Sequence, residues 1–522
     1  MLGFAPEAVK GIGITSLIGL RSKVNRSWWR RERIGLLFVP ALIFGLVCSA
    51  MWCSPDGTPP QPLDSFVLSL HSLQAEHARK VRILHFGDSH IASDTESSVV
   101  RSYLQNIFGD GGLGLELPWE GPRLSSPGVT YGNTRGWLRA RPSYTTPEDY
   151  TGLSLSYIEA EAPGQSAWIE ASGSEFCVYY LAQPNGGDAE FLLDGASLGQ
   201  RRMSAGSPRV ETVRFQAQGT SAPHRLEIHT LGFGRVRILG VSVENGAAGV
   251  VYSALGMVGA RAEYLLKCRD ETFETQITAA QPDLVILGYG TNETSGTNLD
   301  EGAYAAALGT IISRIHRAVP SALVILLTPP DRGDTRPGEA QHIQRILKEV
   351  IAAQIDAAAK SGALVMDLHT AMGGDGSAER WAIMQPPLAR PDMTHFTNEG
   401  YNLLGRYIVG GIMKLYDSGS SVPVAAAADP PAGKEPIGEL LPPLYPEQSK
   451  RTVLAARSHG GSFAEASPGP DQIFYFLMPD GQVVVTNDLS MIDSRHGRSI
   501  SPEEARCLLR GKASPCDNVA RW

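Results

Sequence analysis

Strand and helix signals alternate along this chain in two separate stretches, roughly 80–108 and 284–416, and helical signals vanish between about 113 and 249. In the first stretch, residues 81–86 (VRILHF) read as a strand ending at Gly87-Asp88-Ser89-His90, and 95–108 read as a helix. In the second, strand 284–287 precedes helix 300–319, and strand 323–327 precedes helix 339–360. Strand 363–368 then precedes a last helix over 398–416. Ahead of them Asp64 caps a short amphipathic helix running to Lys80, with Phe66, Leu70 and Leu73 on one side. Parallel strands need long crossovers, and helices are the usual ones. The alternation therefore predicts an α/β protein over 64–114 and 249–417, a parallel sheet with a helical layer on each face.

The interruption reads differently. Runs at 176–181 (FCVYYL), 189–193, 210–215, 225–231 and 236–243 are short and rich in β-branched or aromatic residues, with Gly, Asn, Asp and Pro clusters between them. Asp194-Gly195 after one such run is a hairpin signature. An all-β insertion, a sandwich or jelly roll over 115–248, is expected.

The two ends of the chain depart from both patterns. Residues 1–34 hold seven Lys or Arg against two Glu, a balance of +5. Since the whole chain carries −8, the remainder carries −13. A body that acidic is a poor partner for nucleic acid. Residues 35–53 (GLLFVPALIFGLVCSAMWC) carry no charge and would span ~28 Å as a helix, about the bilayer's hydrocarbon thickness. With cations and Trp28 and Trp29 on the N-terminal side, the run predicts a signal anchor with its body outside the cytoplasm, in the periplasm. Small Ser49 and Ala50 offer a weak cleavage site to the competing signal-peptide reading. Cys48 and Cys53 lack a convincing lipobox.

Residues 54–63 read as a linker, and so do 418–447, where seven Pro fall between 423 and 446. Residues 448–522 form a small unit, with a hairpin from 473–478 and 483–486 around Pro479-Asp480-Gly481 and a short helix opening at Ser501. Cys507 and Cys516 are near enough in sequence to pair, whereas Cys177 and Cys268 could do so only if the fold joins them. A hydrophobic share of 43% excludes disorder over most of the length. Six Cys in 522 residues exclude a disulfide-built scaffold.

Four short blocks carry the chemistry. Ser89 lies past the carboxyl end of a strand and before a helix, where a side chain is exposed at the top of a parallel sheet. Alone this is weak, because strand-to-helix turns use Gly-Asp-Ser routinely. In Asp392-Met393-Thr394-His395 the i, i+3 spacing lets the carboxylate hold the imidazole through Nδ1 and leave Nε2 free. The competing role is a turn begun by Asp392 with His395 packing or capping the helix. Gly290-Thr291-Asn292-Glu293 follows a strand, so the Asn292 amide can face the same rim. Gly256 and Gly259 offer backbone N–H groups within 252–260 (YSALGMVGA).

In this order and context the four blocks resemble the SGNH (GDSL-type) hydrolase family over about 80–114 and 248–416. The resemblance implies a triad of Ser89, Asp392 and His395. It also implies an oxyanion hole made by the N–H groups of Ser89 and Gly259 and the side chain of Asn292, with Gly256 the alternative for the Gly block. One departure is Gly-Thr-Asn-Glu where Gly-x-Asn-Asp is commoner, and Glu293 is not the donor. Residues 84–94 (LHFGDSHIASD), 108–112 (FGDGG) and a β insertion of carbohydrate-binding-module type look like the peptidoglycan O-acetylesterases. Those are exported bacterial enzymes that remove the 6-O-acetyl group of N-acetylmuramic acid. The resemblance implies a serine esterase that works through an acetyl-enzyme on an acetylated glycan, without a cofactor. Nothing in the sequence requires a metal, and no Walker-type phosphate loop occurs. An O-acetyltransferase acting on an extracytoplasmic polysaccharide, and a non-catalytic wall-glycan-binding protein, are the alternatives. His85, His90, His316, His342 and His369 read as structural.

Overall fold

The structure, a computed structural model, describes residues 61–418 apart from 120–125, 143–147, 220–222, 297, 335 and 337, and five short strands beyond residue 453. Helix α1 (Pro62–Glu76) leads into strand β1 (Lys80–Gly87), a single-turn helix α2 (Ser89–Ala92), helix α3 (Thr95–Phe108) and strand β2 (Asp110–Glu116). Asp64 lies in the first turn of α1 rather than capping it, because Pro62 starts the helix one turn earlier and Gln61 holds the cap position.

From β2 to β13 (Gly249–Gly256) the long described elements are strands. They are β3 (Thr130–Asn133), β4 (Leu138–Ala140), β5 (Tyr157–Ala160), β6 (Ser166–Ser172), β7 (Glu175–Ala182), β8 (Asp188–Leu193), β9 (Ala196–Arg202), β10 (Arg209–Gln216), β11 (Pro223–Gly232) and β12 (Val236–Glu244). The alternation then resumes through α4 (Asp270–Ala280), β14 (Leu284–Gly288), α5 (Glu301–Ala318), β15 (Leu323–Leu327), α6 (Glu339–Ser361) and β16 (Leu364–Met366). Short helices α7 (Leu368–Met372) and α8 (Ser377–Ala382) precede the last helix, α9 (Asn398–Ser418).

Strands β2-β13-β1-β14-β15-β16 run parallel in that order. Alternate residues feed opposite faces, as a doubly covered sheet requires. Phe86, Leu287 and Leu326 pack with Phe273, Leu308 and Ile346 on one face. Ile83, Ile286 and Ile325 pack with Phe66, Leu104 and Ile408 on the other. The helical layers on both faces are those the alternation predicts.

The sheet does not stop at β2. Strand β12 pairs with it antiparallel, and β7 and β10 follow, so one sheet runs from the parallel strands into the all-β segment. A second sheet, ordered β3-β6-β11-β8-β9, faces that extension. Strand β7 serves two cores at once. Its Cys177 and Tyr179 point into the helical side of the parallel sheet, while Phe176, Val178 and Tyr180 pack with Phe191, Leu226 and Ile228 between the two sheets. Every residue of β12 is buried for the same reason.

Cys177 and Cys268 are buried free thiols. Among the described residues no helix is long and apolar enough to cross a membrane. The uncharged run 35–53, the Pro-rich segment 423–446, Ser501, Cys507 and Cys516 lie outside the described residues. Strands Phe474–Leu477 and Val483–Thr486 pair antiparallel around the expected Pro-Asp-Gly turn.

Candidate active site

Strand register brings three of the four blocks side by side. Gly87 at the end of β1 lies opposite Gly256 of β13 and Gly288 of β14, so the chain leaves the sheet at one level in all three places. Gly256 is there for close approach, since a Cβ would overlap the backbone N of Ala92 in α2. Gly87 likewise lies outside the left-handed region, and a side chain on it would strike Ile91. Sterics rather than a special turn conformation fix that position.

Asp88 caps α2 by accepting the His90 N–H at 3.0 Å, which leaves Ser89 half-buried at the start of the turn. The fourth block arrives from the far end of the chain. Ala389 and Phe396 bridge antiparallel, the Arg390 N–H donates to the His395 carbonyl at 2.8 Å, and Met393 takes a left-handed φ of 49°. Buried Phe396 anchors this loop, stacking on His90 and meeting Trp381 and Tyr401 edge-on. A backbone bond of 2.8 Å from Gly333 to Met393 holds it from the other side.

Here the predicted partners meet. Ser89 Oγ and His395 Nε2 are 3.0 Å apart, and His395 Nδ1 lies 2.9 Å from Asp392 Oδ2. The other Asp392 oxygen accepts the backbone N–H groups of His395 at 2.9 Å and Thr394 at 3.1 Å. Partial burial alone would raise the Asp392 carboxyl, but the N–H and ring of His395 outweigh it and hold its pKa below the usual value. With Nδ1 facing a carboxylate, Nε2 is the nitrogen left to accept the Ser89 proton.

Gly259 is exposed in a tight turn with φ 76°, closed by a 3.0 Å bond from the Ala260 N–H to the Met257 carbonyl. Asn292 donates Nδ2–H to the Ala260 carbonyl at 2.9 Å and makes a longer contact of 3.4 Å to Asp88 Oδ2. Of the two Gly in this block, Gly256 packs and Gly259 faces solvent. Glu293, the residue that departs from the commoner block, is buried and accepts the Ala262 N–H at 2.9 Å. It ties the Asn block to the Gly block.

Residues without an assigned role in the sequence complete the surround. Arg332 donates to the Thr291 carbonyl at 3.0 Å and to Thr294 Oγ1 at 2.9 Å, bringing a cation near Asp88 and Asp392. Burial pushes Asp88 up to about 7, against the His90 N–H, the Thr291 hydroxyl and Arg332. His90 bonds Tyr401 through Nδ1 at 3.0 Å, and burial together with the nearby His395 pulls it down to about 3. It is a neutral plate beside the His395 ring, 5.6 Å between centroids. His85 is held neutral in the same way and bonds Tyr252, while His316 and His342 each reach a backbone carbonyl. Among the described residues no cluster of His, Cys, Asp or Glu has the geometry to hold a metal ion.

The model of the GDSL-like lipase/acylhydrolase family matches residues 233–403, a span that includes Gly259, Asn292, Asp392 and His395. By that match residues 233–403 carry a GDSL-like acylhydrolase domain. Ser89 lies ahead of the matched span, with strands β2 to β11 between them. The fold is similar to that of a solved peptidoglycan O-acetylesterase, with TM-score 0.57 and 24% identity over 68% of this chain and 97% of that one. At that identity the likeness speaks for the fold. A family two carbohydrate esterase from Clostridium thermocellum, solved in complex with cellohexaose, is 14% identical over 53% of this chain and 98% of that one, with TM-score 0.23, too low to carry an argument. A comparison with curated proteins finds no match.

Proposed function

We propose that this protein is an esterase that removes O-acetyl groups from cell-wall glycan, the 6-O-acetyl of peptidoglycan N-acetylmuramic acid, through an acetyl-enzyme on Ser89. One observation carries the reading: the hydrogen-bond chain from Ser89 through His395 to Asp392 at the carboxyl rim of a parallel sheet. The fold likeness to a peptidoglycan O-acetylesterase supports the choice of substrate. In this mechanism His395 Nε2 takes the Ser89 proton as Oγ attacks the acetyl carbonyl, and Asp392 stabilises the imidazolium that forms. The oxyanion is met by the N–H groups of Ser89 and Gly259 and by Asn292, whose long contact to Asp88 is the one it exchanges. His395 returns the proton to the leaving sugar hydroxyl. Water activated by the same ring then releases acetate.

On this reading residues 115–248 are an inserted carbohydrate-binding-like sandwich, and the uncharged run 35–53 anchors the body outside the cytoplasm. The test is acetate release from a chromogenic acetyl ester and from O-acetylated peptidoglycan. Activity on both that vanishes in Ser89→Ala is the expected result. Acetyl appearing on added glycan instead would make the chain a transferase. Absence of turnover on either, with glycan still bound, would leave a binding protein.

A further inference from the structure

A cavity of about 40 Å³ lies two strands along the rim from Ser89, where the all-β segment meets the parallel sheet. Ile91, Ala92, Gly256, Glu116, Arg139 and Ser154 are among the residues that line it. We infer that this cavity holds a pendant acetamido or carboxyl group of the sugar whose ester is cleaved at Ser89. The inference rests on the esterase reading above and adds the part of the substrate that the rim selects.

The polar atoms are unevenly spent. Glu116 accepts the Ser126 hydroxyl at 2.8 Å and the Tyr131 hydroxyl at 2.9 Å, and Asp94 is paired with Arg101. Arg139 gives Nη2 to Ser156 Oγ at 3.0 Å, but its buried Nε and the buried Ser154 Oγ have no partner among the described residues. No described carboxylate pairs with Arg139 either. Burial, with Arg141 nearby, lowers its pKa only to about 10, so it stays charged at neutral pH. Arg139 lines the cavity with no carboxylate partner among the described residues, and an unpaired cation on a cavity wall asks for an acceptor oxygen.

The backbone keeps this arrangement at a cost. Ser154 sits in a turn closed by bonds of 3.0 Å from Gly152 to Ser156 and from Leu155 to Gly152, with buried Leu155 at φ 54°. A bulky residue there is strained, and such strain persists where the surroundings enforce it. Size selects among ligands. A water needs roughly 10–15 Å³ of such space, so the cavity takes about three. That suits an acetamido or carboxyl group and excludes a whole sugar ring. Adjacent strands lie ~4.8 Å apart, so the end of β2 is within about 10 Å of the end of β1. A single substituted ring can present its ester to Ser89 and a second substituent to Arg139.

The test titrates the full-length Ser89→Ala protein with glucose, N-acetylglucosamine and N-acetylmuramic acid, and repeats it with Arg139→Met or Ser154→Ala added. N-acetylmuramic acid binds and glucose does not, and either added substitution weakens binding about tenfold or more. Equal binding of both N-acetyl sugars identifies the acetamido group, and preference for N-acetylmuramic acid identifies the carboxylate. Glucose binding as well as the others, no sugar binding, or unchanged affinity in both variants overturns the inference. Ser154→Ala removes one oxygen from a turn and guards against a folding defect in Arg139→Met. In the active protein the ratio of kcat/KM on O-acetylated peptidoglycan to that on a small acetate ester falls about tenfold in each variant. A parent protein inactive on peptidoglycan refutes the esterase reading, while the sugar titration still decides the cavity.

Discussion

Asp392 is open to solvent, its side chain 51% exposed, where a catalytic carboxylate is often sealed behind its histidine. Water screens its hold on the imidazolium. Asp392→Asn is therefore expected to lower kcat on an acetyl ester by about 10²–10³-fold, less than the ~10⁴ typical of a buried acid. Asn292→Ala, which removes an oxyanion donor, should cost a similar ~10²–10³. A loss below threefold in steady-state kinetics would remove either residue from the machinery. Asp392 and His395 were legible from their i, i+3 spacing, whereas Ser89, 306 positions from His395, was marked only by its place between strand and helix and by the resemblance of the four blocks taken together. Asp88 and Arg332 were not. Asn292, which Asp88 meets, lies 204 positions along the chain, and Arg332 reaches Thr291 across 41. Local spacing carries no trace of such pairs.

At the scale of elements, the two Gly of one block separate packing from exposure. Gly256→Ala must push α2 off β13, so it should lower both the melting temperature and ester turnover, the latter more than tenfold. At Gly259 a Cβ finds open space, and only the left-handed φ is penalised, by about 1–2 kcal/mol. Gly259→Ala should thus lower the melting temperature while turnover stays within a few-fold. Equal effects of the two would mean that α2 does not rest on Gly256. The sequence marked these Gly but not strand β13 itself, because its short apolar run ends in them and its partner β1 lies some 170 residues earlier. Most other strands and the long helices were legible from their own periodicity. What joins them, the order β2-β13-β1 and the passage of the sheet into β12, depends on pairings that no local pattern encodes.

Among the described residues, four acids have a pKa raised by burial. Burial raises Asp88, Glu116 and Glu293 to about 7 and Glu96 to about 8. A carboxyl raised in the folded state binds protons that the unfolded chain has already lost, so its stabilising effect fades as pH rises toward the folded pKa. His85 and His90, pulled down to about 3 by burial, act oppositely, and their contribution is lost as pH falls below about 6.5. Above 6.5 the carboxyls act unopposed. The melting temperature should fall from pH 6.5 to 8.5, and Glu96→Gln should flatten that fall. A flat profile in the parent protein would show that these acids are ionised without penalty. The continuity of the sheet has one more consequence. Without β12, strand β2 would present a row of unpaired backbone groups along one side of the hydrolase, a template for other chains. Trimming residues 118–244, β12 included, should therefore give aggregates rather than a monomer on size-exclusion chromatography. In the intact protein β12 covers that edge.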